Sequence, residues 1–231
     1  MTVREAIRSD AAALSIIYGY YVENFPYSFE YIAPSADEFA ERITAISGDF
    51  PFFVCEDNGE IAGFAYAHQF KERKAYQWIC ETSIYAKNGC SQKGVGSMLY
   101  SSLLPALKRQ GFVRAFAVIG CPNEGSEIFH KKMNFSFVAT FPDLGYKLGS
   151  WHDVKYYAYE LNPIYDNMPD PIEYRNLKHD DHKHTELEHN GLICNDLEHN
   201  NLKYDDLEYK EKAANIIDSL SDSPLSDDSI W

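Results

Sequence analysis

Three absences narrow the class of this 231-residue sequence. No run approaches the roughly 20 consecutive apolar residues of a membrane-spanning helix, and the N-terminal segment carries Arg4, Glu5 and Arg8 where a signal peptide would be apolar. The five cysteines are widely spaced and include no C-x-x-C pair of the kind that binds zinc or cycles between dithiol and disulfide. We therefore expect a cytoplasmic protein with reduced thiols.

Positive charge is also scarce. The chain has 21 Lys and Arg against 35 Asp and Glu, which gives a formal net charge of −14. A polyanion would be repelled by such a chain unless a strong local basic patch compensated. We therefore do not expect nucleic acid as a partner, and without an encoded membrane segment we do not expect a membrane either.

Apolar residues, in contrast, are plentiful. Hydrophobic residues make up 45% of the chain and aromatic residues 15%, which is enough to build a buried core. The spacing of the apolar residues predicts the element order β-α-α-β-β-β-α-β-α-β-β over residues 1–162. A single folded domain should therefore occupy this part of the chain.

Local signals support several of these elements. Ser35 with Glu38 predicts a capping box at the start of the second helix, and Asn58-Gly59 predicts the tight turn of an antiparallel hairpin. We expect Ser9 and Asp10 to offer the side-chain oxygens that cap the first helix. We also expect Pro105 to kink the third helix or to interrupt its last turns.

The composition changes near residue 162. Residues 163–175 contain three prolines, which predicts a linker, and residues 176–231 contain five Lys or Arg against fourteen Asp or Glu. This acidic tail carries an imperfect ten-residue repeat, and we expect a solvated extension whose removal after Pro171 leaves a folded, active domain. Histidines 179, 182 and 184 have a spacing that a divalent metal could use, but we expect no metal site there.

A glycine-containing turn precedes the third predicted helix. The hexapeptide Ser91-Gln92-Lys93-Gly94-Val95-Gly96 leads into this helix, where backbone N–H groups without helical partners and the positive end of the helix dipole can hold a pyrophosphate. The two glycines let the backbone approach such an anion. The alternative is a turn that serves only the geometry of the chain.

Glu81 lies in the middle of AYQWICETSIYA, an apolar run that predicts a buried central strand. A carboxylate in such a strand is costly unless it is paired or functional, and burial raises its pKa toward neutrality. Glu81 is therefore our candidate general base. The alternative is a strand-end Glu that faces solvent or a salt bridge. Strand alternation places Cys80 on the opposite face, so we do not expect a nucleophile there.

Five segments of the chain, taken in order, resemble one enzyme family. They are GFAYAHQFKERKAYQW, CETSIYA, GVGSMLY, AVIGCPNEGSEIFH and GYKLGSWHDV. Over about residues 1–162 the chain resembles the GNAT superfamily of N-acetyltransferases and, within it, the phosphinothricin acetyltransferase family. The resemblance implies an α+β fold with a mixed, mostly antiparallel sheet flanked by helices, acetyl-CoA as co-substrate, a small-molecule amine as partner, and a homodimer.

The resemblance also implies roles for individual residues. Glu81 would take the proton of the acceptor amine, His130 would position the substrate or return a proton to the leaving thiolate, and backbone N–H groups of residues 83–86 would bind the oxyanion. The residues expected to bind the coenzyme are Ile84, Tyr85, Ala86, Gln92, Lys93, Gly94, Val95, Gly96, Ser97 and Asn123. Those expected around the acceptor are Phe29, Tyr66, Lys71, Arg73 and Tyr76.

These observations lead us to expect direct acetyl transfer to a small amino acid or an analogue such as phosphinothricin or methionine sulfoximine. Two other functions stay open. One is a catalytically silent domain that senses acyl-CoA while its tail contacts a partner protein. The other is acetylation of protein or peptide amines. At single residues, Lys71 and Arg73 could form an ordinary solvated loop, and His130 could be a packed helix histidine.

Overall fold

A computed structural model describes residues 1–90 and 93–177 of the chain. Within these residues the strands are β1 (Thr2–Glu5), β2 (Phe52–Asp57), β3 (Glu60–Gln69), β4 (Ile79–Ala86), β5 (Arg114–Gly120), β6 (Ser136–Lys147) and β7 (Ser150–Glu160). They form one sheet in the order β1-β2-β3-β4-β5-β7-β6. Only β4 and β5 pair in parallel; the other neighbours are antiparallel.

Four α-helices accompany this sheet in the described part of the chain. They are α1 (Ala11–Asn24), α2 (Ala36–Ile46), α3 (Val95–Gln110) and α4 (Glu124–Lys132), and two 3-10 turns lie at Arg8–Asp10 and Lys74–Tyr76. The predicted order of strands and helices and the mixed, mostly antiparallel sheet are confirmed. Each helix of residues 1–90 and 93–177 is too short or too polar to cross a bilayer.

The predicted hairpin and the predicted capping box are both present. Asn58 and Gly59 have φ angles of 52° and 81°, in the left-handed region, and they connect β2 to β3. Ser35 accepts a hydrogen bond from the backbone N–H of Glu38, whose carboxylate accepts from the Ser35 N–H. Both features depend on neighbouring residues alone, which is why the sequence reveals them.

Two local expectations were wrong, the second of them only in part. The Asp10 side chain does not cap α1; its carboxylate instead accepts hydrogen bonds from the Ile7 N–H at 2.8 Å and from the Arg4 guanidinium at 2.7 and 2.9 Å. Pro105 does not interrupt the last turns of α3, which continues to Gln110, and the alternative of a kink stays a prediction. The carbonyl that a proline leaves without its helical partner belongs to the residue four positions earlier, here Ser101, and Ser101 is exposed to water.

The two faces of the sheet bury separate cores. On one face α3 supplies Leu99, Leu103 and Leu107, which pack with small sheet residues such as Ala65 and Ala115. On the other face α1 and α2 pack against larger sheet residues: Leu14, Val22, Phe39 and Ile43 come from the helices, and Phe52, Val54 and Phe64 from the strands. Burial of these side chains stabilises the sheet that holds the site.

The parallel pair β4 and β5 is short. Four residue pairs join them, from Ile79 with Arg114 to Thr82 with Ala117, although β4 continues to Ala86 and β5 to Gly120. Beyond Thr82 the two strands diverge and leave a notch in the middle of the sheet. On its other side β4 stays paired with β3 as far as Ala86, so the notch opens toward β5.

The segment after β7 returns across the domain. The Trp78 indole donates to the Pro169 carbonyl at 2.7 Å, and Gln110 and Ile172 exchange two hydrogen bonds of 2.7 Å each. Farther along, the Tyr174 hydroxyl donates to Glu5 at 3.0 Å, and Leu177 is buried. Residues 169–177 therefore contact the domain, although they lie in and next to the predicted linker. The predicted acidic tail lies outside the described residues from position 178 onward.

These contacts predict that the position of a C-terminal truncation matters. A chain that ends at Leu177 should keep the melting temperature of the full chain. A chain that ends at Pro171 loses Tyr174, Leu177 and the Gln110 partner, and should lose about 2 to 4 kcal/mol of unfolding free energy, or about 5 to 10 °C. Thermal melts followed by circular dichroism compare the two, and equal melting temperatures would contradict the expectation.

Candidate active site

Strand β4 separates two kinds of side chain. Cys80 and Thr82 point into the core beneath α3, whereas Glu81, Ser83 and Tyr85 point to the face covered by α1 and α2. This alternation confirms that Cys80 and Glu81 lie on opposite faces. Cys80 is completely buried, and burial raises the pKa of its thiol, so it stays protonated and unreactive at neutral pH.

Glu81 occupies a half-buried position directly opposite His68 of β3. Its side chain is 26% exposed, and its Oε1 lies 3.8 Å from His68 Nε2. Burial raises the pKa of Glu81, and the positive charges of a protonated His68 and of Lys71 oppose that rise. The site thus holds a carboxyl group that is easier to protonate than one in water.

Among the predicted acceptor residues, Tyr66 and Lys71 lie near Glu81. Tyr66 is on the same sheet face as Glu81, next to His68, and burial raises the pKa of its phenol. Lys71 is close enough for its charge to act on Glu81. From the neighbouring strands Phe116 and Tyr156 extend this face.

The other predicted acceptor residues lie apart from Glu81. Arg73 and Tyr76 belong to the exposed segment around the 3-10 turn. No hydrogen bond, ion pair or ring contact joins either side chain to Glu81 within the described residues. Phe29 packs instead against Gly145, where an added Cβ would come within 2.1 Å of its ring. Their roles stay predictions.

The loop that carries Phe29 is held from two sides. Glu30 accepts hydrogen bonds of 2.8 and 2.9 Å from both terminal nitrogens of Arg42, and one of 2.8 Å from the Tyr18 hydroxyl. From β6 the buried Lys147 donates to the carbonyls of Phe25 and Ser28. These contacts fix the loop between α1 and α2 beside the sheet face that carries Glu81.

A cavity of about 480 Å³ fills the notch between β4 and β5. The predicted residues Ile84, Tyr85 and Ala86 line it. Because the Lys87 N–H donates to Ala62 on β3 at 2.8 Å, strand alternation turns the N–H groups of Ile84 and Ala86 away from β3 and toward the notch. The cavity is therefore bordered by strand backbone whose neighbour has moved away.

The N-terminus of α3 lies at one end of this notch. Gly94 caps the helix with a φ of 85°, and Met98 is the first residue whose N–H donates to a helix carbonyl, that of Gly94, at 3.1 Å. At Gly96 an added Cβ would lie 2.8 Å from the Phe129 ring. Glycine thus serves two purposes here, a left-handed cap and a close approach of α3 to α4. Ser97 follows in the first turn of α3.

The remaining predicted coenzyme residues differ in their surroundings. Lys93 is exposed, with its ammonium 3.8 Å from the Asp57 carboxylate, and Val95 is buried under the sheet. Asn123 caps α4 by accepting a hydrogen bond of 3.1 Å from the Ser126 N–H, and it lines the cavity. Gln92, like Ser91, lies outside the described residues.

His130 also borders the cavity but is nearly fully buried. Its Nδ1 lies 2.8 Å from the Ser126 carbonyl, which can only accept, so Nδ1 carries the proton and Nε2 is left to accept from the Tyr100 hydroxyl at 3.0 Å. Tyr100 lies in turn 3.1 Å from the Thr82 hydroxyl. Burial lowers the pKa of His130 to about 4, so the ring is neutral at pH 7 and does not titrate near neutrality.

Three residues of this site were missing from the sequence prediction. His68 faces Glu81, and Tyr100 and Thr82 connect His130 to β4. The register of β3 against β4 would have placed His68, but an apolar pattern does not fix that register. No group of three His, Cys, Asp or Glu side chains in residues 1–90 and 93–177 could hold a metal ion, and histidines 179, 182 and 184 lie outside these residues.

Comparisons with known proteins agree with this geometry. Residues 3–155 match the model of the acetyltransferase (GNAT) domain. The phosphinothricin N-acetyltransferase of Streptomyces viridochromogenes is 34% identical over 155 residues, which cover 67% of this chain and 85% of that protein. The L-methionine sulfoximine/L-methionine sulfone acetyltransferase of Salmonella typhimurium is 27% identical over 164 residues, which cover 70% of this chain and 95% of that protein.

A solved structure shows the same likeness. The crystal structure of a GNAT superfamily phosphinothricin acetyltransferase from Sinorhizobium meliloti, in complex with acetyl-CoA, matches with a TM-score of 0.69 and 30% sequence identity. The match covers 75% of this chain and 98% of that one. These matches cover 85 to 98% of the known proteins and 67 to 75% of this chain.

The buried neutral His130 predicts a pH dependence of stability. Its pKa falls from 6.5 to about 4 on folding, so between these values the unfolded chain binds more protons and stability decreases as the pH drops. His130→Gln removes this titration. From pH 7.5 to pH 5 the variant should lose about 2 kcal/mol less unfolding free energy than the parent. Urea unfolding at the two pH values measures the difference, and parallel losses in both proteins would contradict it.

Proposed function

The chain belongs to the GNAT acetyltransferase family, and we propose that it transfers the acetyl group of acetyl-CoA directly to the amine of a small amino acid or amino acid analogue. The observation that carries the proposal is the half-buried Glu81 carboxylate, whose pKa burial raises, beside an open notch in the sheet. A primary amine is mostly protonated at pH 7 and must lose a proton before it attacks an acyl group. A carboxylate in this position suits that task.

The notch offers a place for acetyl-CoA, which supplies the activated acetyl group. The backbone N–H groups of Ile84 and Ala86 face it and can pair with an extended amide-containing chain as a neighbouring strand would. At its end the first N–H groups of α3, at Val95, Gly96 and Ser97, can bind a pyrophosphate. Lys93 directly precedes the Gly94 cap of α3, and Asn123 lines the cavity at the start of α4. These residues fit the co-substrate because they present backbone donors without demanding particular side chains.

In the proposed mechanism Glu81 removes a proton from the bound ammonium group. The freed amine then attacks the acetyl carbon, and the Ile84 N–H, which faces the notch, stabilises the negative charge that develops on the acetyl oxygen. Along β4, Ser83 lies about 7 Å and Ile84 about 10 Å from Glu81, so an acceptor of a few heavy atoms can span from the Glu81 carboxylate to the notch. His130, neutral and hydrogen-bonded through Tyr100 to Thr82, holds α4 against β4.

The acceptor we propose is a small amino acid or an analogue such as phosphinothricin or methionine sulfoximine. Proteins named for acetylating phosphinothricin and methionine sulfoximine are similar to this chain over 67 and 70% of its length. The Lys71 ammonium, close to Glu81, suits an acceptor that carries a carboxylate or phosphinate beside its amine. Arg73, Tyr76, Tyr66 and Phe29 remain proposed contacts of such an acceptor.

The first experiment is a thiol-release assay with acetyl-CoA and a panel of acceptors. The panel contains free amino acids, phosphinothricin, methionine sulfoximine and a lysine-bearing peptide. We expect release with a small amino acid or analogue and none with the peptide. Calorimetric binding of acetyl-CoA without release from any acceptor would favour the acyl-CoA sensor. Release with the peptide alone would favour protein acetylation.

Glu81→Gln tests the proposed base. Loss of a positioned base should lower kcat by about 10² to 10⁴ and leave the acetyl-CoA dissociation constant nearly unchanged, because Glu81 points away from the notch backbone. Glu60→Gln is the matched control, since Glu60 lies on the hairpin and pairs only with the exposed Lys87 in the described structure. An unchanged kcat at pH 7 in the Glu81 variant would refute the role.

We also propose a homodimer formed through β6. This strand is the edge of the sheet, and its hairpin with β7 exposes a row of large apolar side chains: Phe137, Val138, Phe141, Leu144, Tyr146, Leu148 and Trp151. An edge with unpaired backbone groups and an apolar surface suits a second copy of the same strand. Light scattering should give twice the mass of one chain, and Leu148→Glu with Trp151→Glu should give the mass of one. A monomeric parent would contradict the proposal.

A further inference from the structure

The proposed reaction must release a proton at every turnover. The acceptor enters as an ammonium group with three N–H bonds, the amide product keeps one, and the departing thiolate takes one proton to become a thiol. One proton is left over for each acetyl group transferred. Because Glu81 must be a carboxylate again before the next ammonium group binds, this proton has to leave Glu81 and reach solvent.

His68 is placed to accept the proton that Glu81 must release. It lies opposite Glu81 in the register of β3 and β4, with Nε2 3.8 Å from Glu81 Oε1. Its Nδ1 lies 3.0 Å from the Gln69 carbonyl, which can only accept, so Nδ1 carries the proton of the neutral ring. The Nε2 lone pair is therefore the group that faces the carboxylate.

The same side chain reaches water. The His68 side chain is 37% exposed, compared with 26% for Glu81. A distance of 3.8 Å exceeds a hydrogen bond, so transfer requires a small rotation of either side chain or one bridging water. The free ring nitrogen of a neutral imidazole can accept a proton from a carboxyl group and release it to bulk solvent.

On the basis of the proposed function, we propose that His68 is the proton outlet of this site and acts through Glu81. The proton that Glu81 takes from the ammonium group passes from Oε1 to His68 Nε2. This transfer breaks the carboxyl O–H bond, forms an imidazolium N–H bond and restores the carboxylate. The imidazolium then gives one proton to water or buffer and returns to the neutral ring.

The positive charges beside Glu81 favour its return to the carboxylate. The charge of Lys71 opposes the rise in the pKa of Glu81 that burial causes, and burial together with the charge of Glu81 raises the pKa of Tyr156. Tyr66 lies beside His68 with ring centroids 6.0 Å apart. Once Glu81 is a carboxylate, the imidazolium lowers its pKa and keeps it ready for the next acceptor.

The test uses the full chain with methionine sulfoximine as the acceptor, or whichever amino acid releases most thiol. His68→Gln should lower kcat about 10²-fold in dilute buffer, the low end of the contribution of a positioned proton-transfer group. Added imidazole buffer should restore most of the lost rate, because a soluble base can replace the outlet. The acid limb of the kcat/KM profile should move to higher pH, since Glu81 loses the charge that lowers its pKa.

Two comparisons separate this inference from the proposed function. Gln69→Ala, at the exposed neighbour, should keep the parent's rate and buffer dependence, because only the Gln69 backbone contacts His68 in the described structure. In a Glu81→Gln background His68→Gln should have no further effect. If Glu81→Gln is as active as the parent, the proposed role of Glu81 as general base is refuted. If Glu81→Gln is inactive while His68→Gln keeps the parent's rate, acid limb and buffer dependence, only the outlet is overturned.

Discussion

The short parallel pairing between β4 and β5 is the constraint on which the rest of this molecule depends. Four residue pairs hold the two parts of the sheet together, and the strands then separate although each continues for several residues. A fully paired sheet would have no backbone donors to offer a ligand in its interior. Here the divergence opens the notch, and the N-termini of α3 and α4 lie at its border.

The alternation of side chains along β4 places Glu81 and the buried core residues of this strand on opposite faces of the sheet. Odd-numbered positions place Glu81 and Ser83 on the face that α1 and α2 only partly cover, and even-numbered positions place Cys80 and Thr82 in the core beneath α3. The same strand therefore carries a titratable carboxyl group and a rigid anchor for His130. Their different degrees of exposure explain why Glu81 stays in contact with solvent while the buried His130 is neutral at pH 7.

The sequence was informative wherever structure depends on close neighbours. The turn at Asn58-Gly59 and the capping box at Ser35 follow from a few adjacent residues, and the order of elements follows from apolar spacing. The position of Glu81 in a central strand was predictable for the same reason. Asp10 shows the limit, because its partner Arg4 competes with the helix end for the carboxylate.

The relations across the sheet were not predictable in this way. That His68 faces Glu81 depends on strand register, and a shift of one residue would turn His68 to the other face. The connection from His130 through Tyr100 to Thr82 joins α4, α3 and β4, which lie far apart in sequence. The divergence of β4 and β5 is a property of the backbone, and no single residue type in the sequence predicts it.

The clamp on the loop between α1 and α2 has a consequence for selectivity. Arg42 and Tyr18 hold Glu30, and Lys147 holds the carbonyls of Phe25 and Ser28, before any acceptor arrives. The conformational entropy of this loop is thus lost during folding and not during binding, which favours tight recognition of a ligand that fits. A larger acceptor would have to displace this loop and so break hydrogen bonds between residues that the acceptor itself does not contact. In the proposed function, where Phe29 of this loop contacts the acceptor, side chains outside the pocket would limit the range of accepted molecules as well as those that line it.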